Sequence, residues 1–173
     1  MDSFAPFARI EGRADNCPVF APSPTDVRRF FVEAGRKRRA SLPSTPLETI
    51  AADWVDAHPE YAADLARAAT GLAEEADAAG SVAALPNAVG DGARENPFLH
   101  LSMHLSITEQ IGVDQPRGIR DAYGQLLARS GSPHEAQHEI MECLGRMLWD
   151  SQRNGRAPDG DAYVECIRHR ARR

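Results

Sequence analysis

Four of the six histidines of this 173-residue chain occur in two pairs, with three residues between the partners of each pair. The first pair is His100 and His104, and the second is His134 and His138. Residues four positions apart on an α-helix differ by only about 40° around the axis, so both rings of a pair point to the same side. One metal ion can bridge two imidazoles at that spacing. The two pairs therefore predict a histidine-rich metal site if each lies on a helix that turns it inward.

The second pair lies in a segment whose apolar residues recur with helical periodicity. At about 100° per residue, the apolar arc of this segment includes both His134 and His138. The arc is made of Ile140, Met141, Leu144, Met147, Leu148 and Trp149. Glu142 follows one turn after His138 in the same row, whereas Glu135, Glu139 and Arg146 point to the far side. We therefore predict Glu142 as the carboxylate of the site, either as a ligand or as a base beside the metal.

The first pair also points inward. His100 and His104 share their side of the predicted helix with apolar residues, namely Met103, Ile107 and Ile111. Glu109 lies nine residues after His100, on roughly the opposite side of the axis, so we exclude it as a ligand of the same ion.

A shared ion removes the cost of burying these polar groups, which is about 1–3 kcal/mol for each group left without a partner. Nitrogen-rich ligation suits Zn, Fe, Ni, Cu or Co and argues against Mg or Ca. We expect one transition-metal ion, with Zn or Fe as the leading candidates. A di-iron carboxylate centre fits poorly, because its two Glu-x-x-His motifs are missing. The alternative is that the histidines are hydrogen-bonded to one another and to the core.

The elements that must position the pairs are helices, since no stretch alternates β-branched or aromatic residues with polar ones. Helix starts are marked by a capping residue followed by proline, as in Thr45-Pro46, Asn96-Pro97 and Ser132-Pro133. The predicted helices cover 24–41, 46–57, 59–69, 97–111, 116–129, 133–154 and 160–167. We predict an all-α fold, a compact multi-helix bundle of about six or seven helical segments without a sheet.

We expect one helical domain over residues 24–173, preceded by an irregular arm over 1–23 that contains three prolines. Residues 71–95 are rich in Ala, Gly and acidic side chains and are predicted to form a flexible acidic insert. The role of both segments is left open.

Cysteine content and hydropathy predict a soluble, cytoplasmic protein. Cys17, Cys143 and Cys166 are an odd number without C-x-x-C spacing, so we expect reduced thiols. No apolar run reaches the roughly 18 residues of a membrane span, and the N-terminus lacks the apolar stretch of a secretory signal.

Two kinds of function remain open. In the first, the chain binds one metal ion and, if a coordination position stays open, carries out metal-assisted hydrolysis with Glu142 as the base. In the second, it is a non-enzymatic adaptor that contacts a protein partner, or itself, through the basic first helix or residues 169–173. A net charge of −5 argues against a nucleic-acid-binding protein. The sequence does not decide whether the chain is an enzyme.

Three stretches resemble a known family. They are Asn96-Pro97-Phe98-Leu99-His100-Leu101-Ser102-Met103-His104-Leu105, then 114–120, and then 134–145 followed by Leu148-Trp149. Together they are similar to a small, mostly proteobacterial family of helical proteins classed as a domain of unknown function. The resemblance extends more loosely over most of residues 24–170. It implies a helical fold and no particular activity.

Overall fold

The computed structural model of this chain describes residues 23–77 and 96–173. Within these two ranges it contains seven α-helices, one short 3₁₀ turn and no strand, which confirms the all-α prediction. The helices are α1 Pro24–Arg39, α2 Pro46–Ala57, α3 Ala62–Asp77, α4 Pro97–Val113, α5 Ile119–Ser130, α6 Pro133–Asn154 and α7 Gly160–Ala171. The 3₁₀ turn, Pro59–Tyr61, joins α2 to α3.

The predicted helix starts are confirmed at the capping residues. Thr45 accepts a hydrogen bond from the backbone N–H of Glu48, whose carboxylate accepts from the Thr45 N–H in return. Asn96 and Ser132 cap α4 and α6 through their side-chain oxygens. Proline in the first turn of α2, α4 and α6 costs no backbone hydrogen bond, because the first N–H groups of a helix have no intrahelical acceptor.

Several helix ends differ from the prediction. Helix α3 continues to Asp77, so the first seven residues of the predicted 71–95 insert are helical. The alanine and glutamate of this stretch are strong helix formers, which outweighs its single glycine. The rest of the insert, residues 78–95, lies outside the described residues, as do residues 1–22 of the predicted arm. Helix α5 begins three residues later than predicted, after Gly118 in the left-handed conformation (φ 91°), and α7 extends to Ala171.

The expectation of reduced thiols is wrong for two of the three cysteines. Cys143 on α6 and Cys166 on α7 form a disulfide, with their Cα atoms 5.9 Å apart. The two residues are 23 positions apart, and only the packing of α6 against α7 brings them together. No local motif marks such a pair. Cys17 lies outside the described residues.

Two hydrophobic cores lie on either side of α4. The first is formed mainly by α1 and α2, with Leu101 of α4, and includes Phe31, Ala34, Ala51, Ala52 and Val55. The second is formed by α5, α6 and α7, with Ile107 of α4, and includes Ile119, Leu126, Ile140, Tyr163 and Ile167. Leu101 and Ile107 are less than two turns apart on α4. This part of α4 is the seam between the two cores, and it carries His100 and His104. Across the described ranges, no helix combines the length and hydropathy that a membrane crossing requires.

Candidate metal centre

Five histidine rings meet at the seam between the two cores. The Nε2 atom of His100 lies 3.1 Å from that of His58 and 3.2 Å from those of His104 and His138. The His134 Nε2 is 2.9 Å from the His58 Nε2, and the His138 Nε2 is 3.2 Å from the His104 Nε2. Four of these residues each have one ring nitrogen within 4.8 Å of the ring nitrogens of the other three, namely His58, His104, His134 and His138. His100 is not part of this set of four. The structure thus brings both predicted pairs together and adds a fifth ring.

The fifth ring, His58, stands at the C-terminal end of α2, where Pro59 follows and α2 stops. Its Nδ1 lies 2.8 Å from the backbone carbonyl oxygen of Trp54. A carbonyl oxygen can only accept, so the Nδ1 atom carries the proton and donates it. The unprotonated Nε2 then turns its lone pair to the centre. His58 is only 1% exposed, so water cannot compete for this arrangement.

A hydrogen-bond network fixes the proton of His104 in the same way. The Thr108 hydroxyl donates to the His104 carbonyl oxygen at 2.8 Å and accepts from the indole N–H of Trp54 at 3.0 Å. Because its one proton is used, this hydroxyl must also accept from the Gln137 amide nitrogen, 3.0 Å away. The Gln137 oxygen is therefore turned to the His104 Nδ1 at 3.0 Å, and that nitrogen donates. The His104 Nε2 lone pair again faces inward.

Burial keeps these two rings neutral. Burial lowers the pKa of His104 to about 3, while its hydrogen bond to Gln137 acts in the opposite direction and the neighbouring rings add to the fall. Burial also lowers the pKa of His58, partly offset by the hydrogen bond to the Trp54 carbonyl. A neutral imidazole is the form that binds a metal ion.

Two aromatic side chains cover the buried rings. The Trp54 indole stacks on His104 with ring centroids 4.0 Å apart and an interplanar angle of 16°. The Tyr61 ring is nearly parallel to His58 at a centroid distance of 5.4 Å. Stacking holds both imidazoles in one orientation and keeps water from that side of the cluster.

Glu142 lies outside the ring of nitrogen atoms. Its side chain is 71% exposed, and its carboxylate is 3.9 Å from the guanidinium of Arg170. One turn beyond His138, α6 has advanced about 5.4 Å along its axis, which carries Glu142 past the rings of α2 and α4. Glu109, excluded on the sequence, is exposed. The ligand role predicted for Glu142 stays a prediction that this geometry does not support.

His58 was not predicted as part of the site, because no other histidine lies at helical spacing from it. Its ring reaches the cluster only through the packing of α2 against α4. The available signal was local: a His-Pro step that ends a capped, half-buried helix one turn after Trp54. That signal predicts a helix end and says nothing about the direction of the ring.

Hydrogen bonds between the rings cannot satisfy all five converging nitrogen atoms. Each Nε2 offers one site in the ring plane, which holds either a proton or a lone pair. A hydrogen bond uses one site on each of two rings, so five rings can form two full hydrogen bonds among themselves, whereas five contacts at 2.9–3.2 Å are present. A cation can accept several of these lone pairs at once, and His58, His104, His134 and His138 form a set of four nitrogens close enough to one another to hold it.

The spacing of the nitrogen atoms also fits a common ion. With metal–nitrogen bonds of about 2.0–2.1 Å, two ligand nitrogens lie about 2.8–3.0 Å apart at a right angle and about 3.3–3.4 Å apart at the tetrahedral angle. The five observed distances of 2.9–3.2 Å lie within this interval.

Fold and cluster together define an all-α protein with a buried polyhistidine cluster that could hold a metal ion. Residues 23–169 match the family described as a domain of unknown function (DUF1841), and the chain belongs to this family. The match confirms the resemblance drawn from the histidine-bearing stretches. Neither a curated protein nor a solved structure matches the chain.

Proposed function

We propose that this protein binds one transition-metal ion through imidazole nitrogens of the cluster formed by His58, His100, His104, His134 and His138. The observation that carries the proposal is the convergence of five imidazole nitrogens, two of which have their Nδ1 protons engaged by acceptors outside the cluster. Outward hydrogen bonds of this kind are the usual support of metal-binding histidines.

The donor set narrows the metal. Imidazole nitrogens suit Fe, Co, Ni, Cu or Zn and do not suit Mg or Ca, which prefer oxygen. Structural zinc is almost always four-coordinate, and four ring nitrogens of the cluster lie within 4.8 Å of one another. Zinc and iron are the two leading candidates, and the number of donors does not separate them.

If a coordination position stays open, the metal ion would activate a water molecule bound there. Hydrolysis is the simplest reaction of such a centre. Glu142 lines the same cavity as His100 and His138. We propose it as the group that takes the proton from this water rather than as a ligand.

Elemental analysis of untagged protein tests metal binding. We expect close to one transition-metal ion per chain, and its loss in the His104→Ala/His138→Ala double variant. The matched control is His169→Ala, since His169 is the one histidine of the six outside the cluster and is exposed on α7. This variant should keep its metal.

Stability gives a second measurement. A ligand that binds only the folded state at 100 times its Kd stabilises it by about 2.7 kcal/mol. Metal-free protein whose melting temperature is unchanged by Zn, Fe, Ni or Cu would contradict the proposal and favour the non-enzymatic adaptor.

A further inference from the structure

A cavity of about 780 Å³ lies between α4 and α6, directly beside the cluster. His100 and His138 line it, and their Nε2 atoms are 3.2 Å apart. The cavity therefore borders on one edge of the group of five nitrogens. A cavity of about 340 Å³ among α1, α2 and α3 reaches His58 alone, and one of about 690 Å³ among α5, α6 and α7 reaches His138 alone. The cavity between α4 and α6 is the one of these three that borders two histidines of the cluster.

Arg146, expected from the sequence on the far side of α6, instead lies on the wall of this cavity. Its guanidinium makes no hydrogen bond or ion pair with any residue in the described ranges, although Glu142 and Asp150 stand one turn away on either side of it. Glu142 faces Arg170 instead, at 3.9 Å. A guanidinium offers five N–H donors in a planar fork that matches a carboxylate. An accessible arginine in a cavity of this kind is suited to the acidic group of a bound molecule.

The positions of Arg146 and the ion set the length of that molecule. Residues eight apart on a helix, such as His138 and Arg146, are separated by about 12 Å along the axis. An arginine side chain covers only part of that distance, so a molecule longer than a single carboxylate fits the remaining gap better. A molecule with an oxygen donor at each end can span them, and about 300–1,000 Å³ is the usual size of a small-molecule site.

The charges along the cavity also favour an anion. A divalent ion and Arg146 contribute three positive charges, and Glu142 and Asp150 contribute two negative ones. The balance of one positive charge attracts a negatively charged molecule and disfavours a cation.

We propose that this cavity is the binding site of a small bifunctional organic acid, such as a short dicarboxylate. One oxygen donor takes the open position on the ion beside His100 and His138, and the distal carboxylate binds Arg146. This inference rests on the proposed metal centre and adds to it the class of molecule that the centre binds.

The experiment uses full-length protein loaded with Co²⁺, whose visible spectrum reports changes in coordination. Succinate, glutarate and adipate are titrated against acetate as the single-ended control. We expect at least one dicarboxylate to bind about tenfold more tightly than acetate, as one charged hydrogen-bonded pair would provide. In Arg146→Gln this advantage should disappear while acetate binding stays the same.

A matched pair of glycines tests the cavity itself. A Cβ atom added at Gly145, which lines the cavity, or at Gly124 on α5 meets no atom within 4 Å, so a side chain can be introduced at either position without a clash at Cβ. Gly145→Leu should weaken all exogenous ligands by about tenfold or more because its side chain fills the approach to the ion. Gly124→Leu gains the same helix propensity and should bind them like the wild type.

The outcomes separate the two proposals. If Co²⁺ does not bind in a 1:1 ratio, the metal centre fails and this inference falls with it. If Co²⁺ binds but no acid changes the spectrum, or Gly145→Leu binds acids like the wild type, the metal centre stands and the cavity site is wrong. Equal affinity for acetate and all dicarboxylates would overturn the role of Arg146.

Discussion

The two sides of the histidine cluster are held in different ways. On the buried side, His58 and His104 are at most 1% exposed, and each donates its Nδ1 proton to a fixed acceptor. On the open side, His134 is half-buried and His138 is exposed, beside a large cavity. The difference indicates that the buried side sets ring orientation and protonation before a metal arrives, whereas the open side is where ions and ligands enter and leave.

The largest expected contrast comes from deleting one ring on each side. His104→Ala opens a cavity beneath Trp54 and leaves the Gln137 oxygen without its donor, which should destabilise the metal-free protein by about 3 kcal/mol. His138→Ala removes an exposed side chain and should change the stability of the metal-free protein by less than about 1 kcal/mol. Urea unfolding in the presence of a chelator measures both.

Both variants should lose metal affinity, so the contrast concerns the metal-free fold alone. Equal destabilisation by the two substitutions would show that the sides are not distinct. His169→Ala serves again as the control, because it deletes an imidazole from the exposed end of α7.

Acid should destabilise the metal-free protein through the buried side. The pKa of His104 is about 3 in the folded protein against 6.5 for an ordinary histidine, because burial disfavours the charged ring. Between these values the unfolded chain binds more protons than the folded one, so stability is complete above about pH 6.5 and falls as the pH is lowered. For this one group the loss at pH 5 is about 2 kcal/mol. The lowered pKa of His58 acts in the same direction.

Urea midpoints of metal-free protein between pH 7.5 and pH 5 measure this dependence. His104→Gln removes the titrating ring and should flatten the curve, whereas His169→Ala should leave its slope as in the wild type. Parallel curves for wild type and His104→Gln would place the acid sensitivity elsewhere in the chain.

What the sequence could predict depended on the range of the interaction. The start of α2 at Pro46 follows from the Thr45 cap, which involves residues three apart, and both His-x-x-x-His pairs follow from the helical period. His58 and the Cys143–Cys166 disulfide depend on which helix packs against which. No local pattern carries that information. The prediction therefore contained four of the five rings and none of the hydrogen bonds that orient them.

The smallest expected effect that still distinguishes the buried side of the cluster from the open side is on metal affinity, and it comes from the hydrogen bonds that orient the buried rings. Gln137→Leu keeps the volume of the side chain and removes the acceptor that holds the His104 Nδ1 proton outward. Loss of such support typically weakens metal binding 10–100-fold, and because Trp54 stacking still orients the ring, we expect about tenfold. Competition with a chelator of known affinity measures the change. Gln125→Leu is the matched control, since the Gln125 amide lies on the surface of α5 and donates to Asp121. If Gln137→Leu bound metal as tightly as Gln125→Leu, the orientation of His104 would be due to packing alone, and the network through Thr108 would contribute only to the stability of the fold.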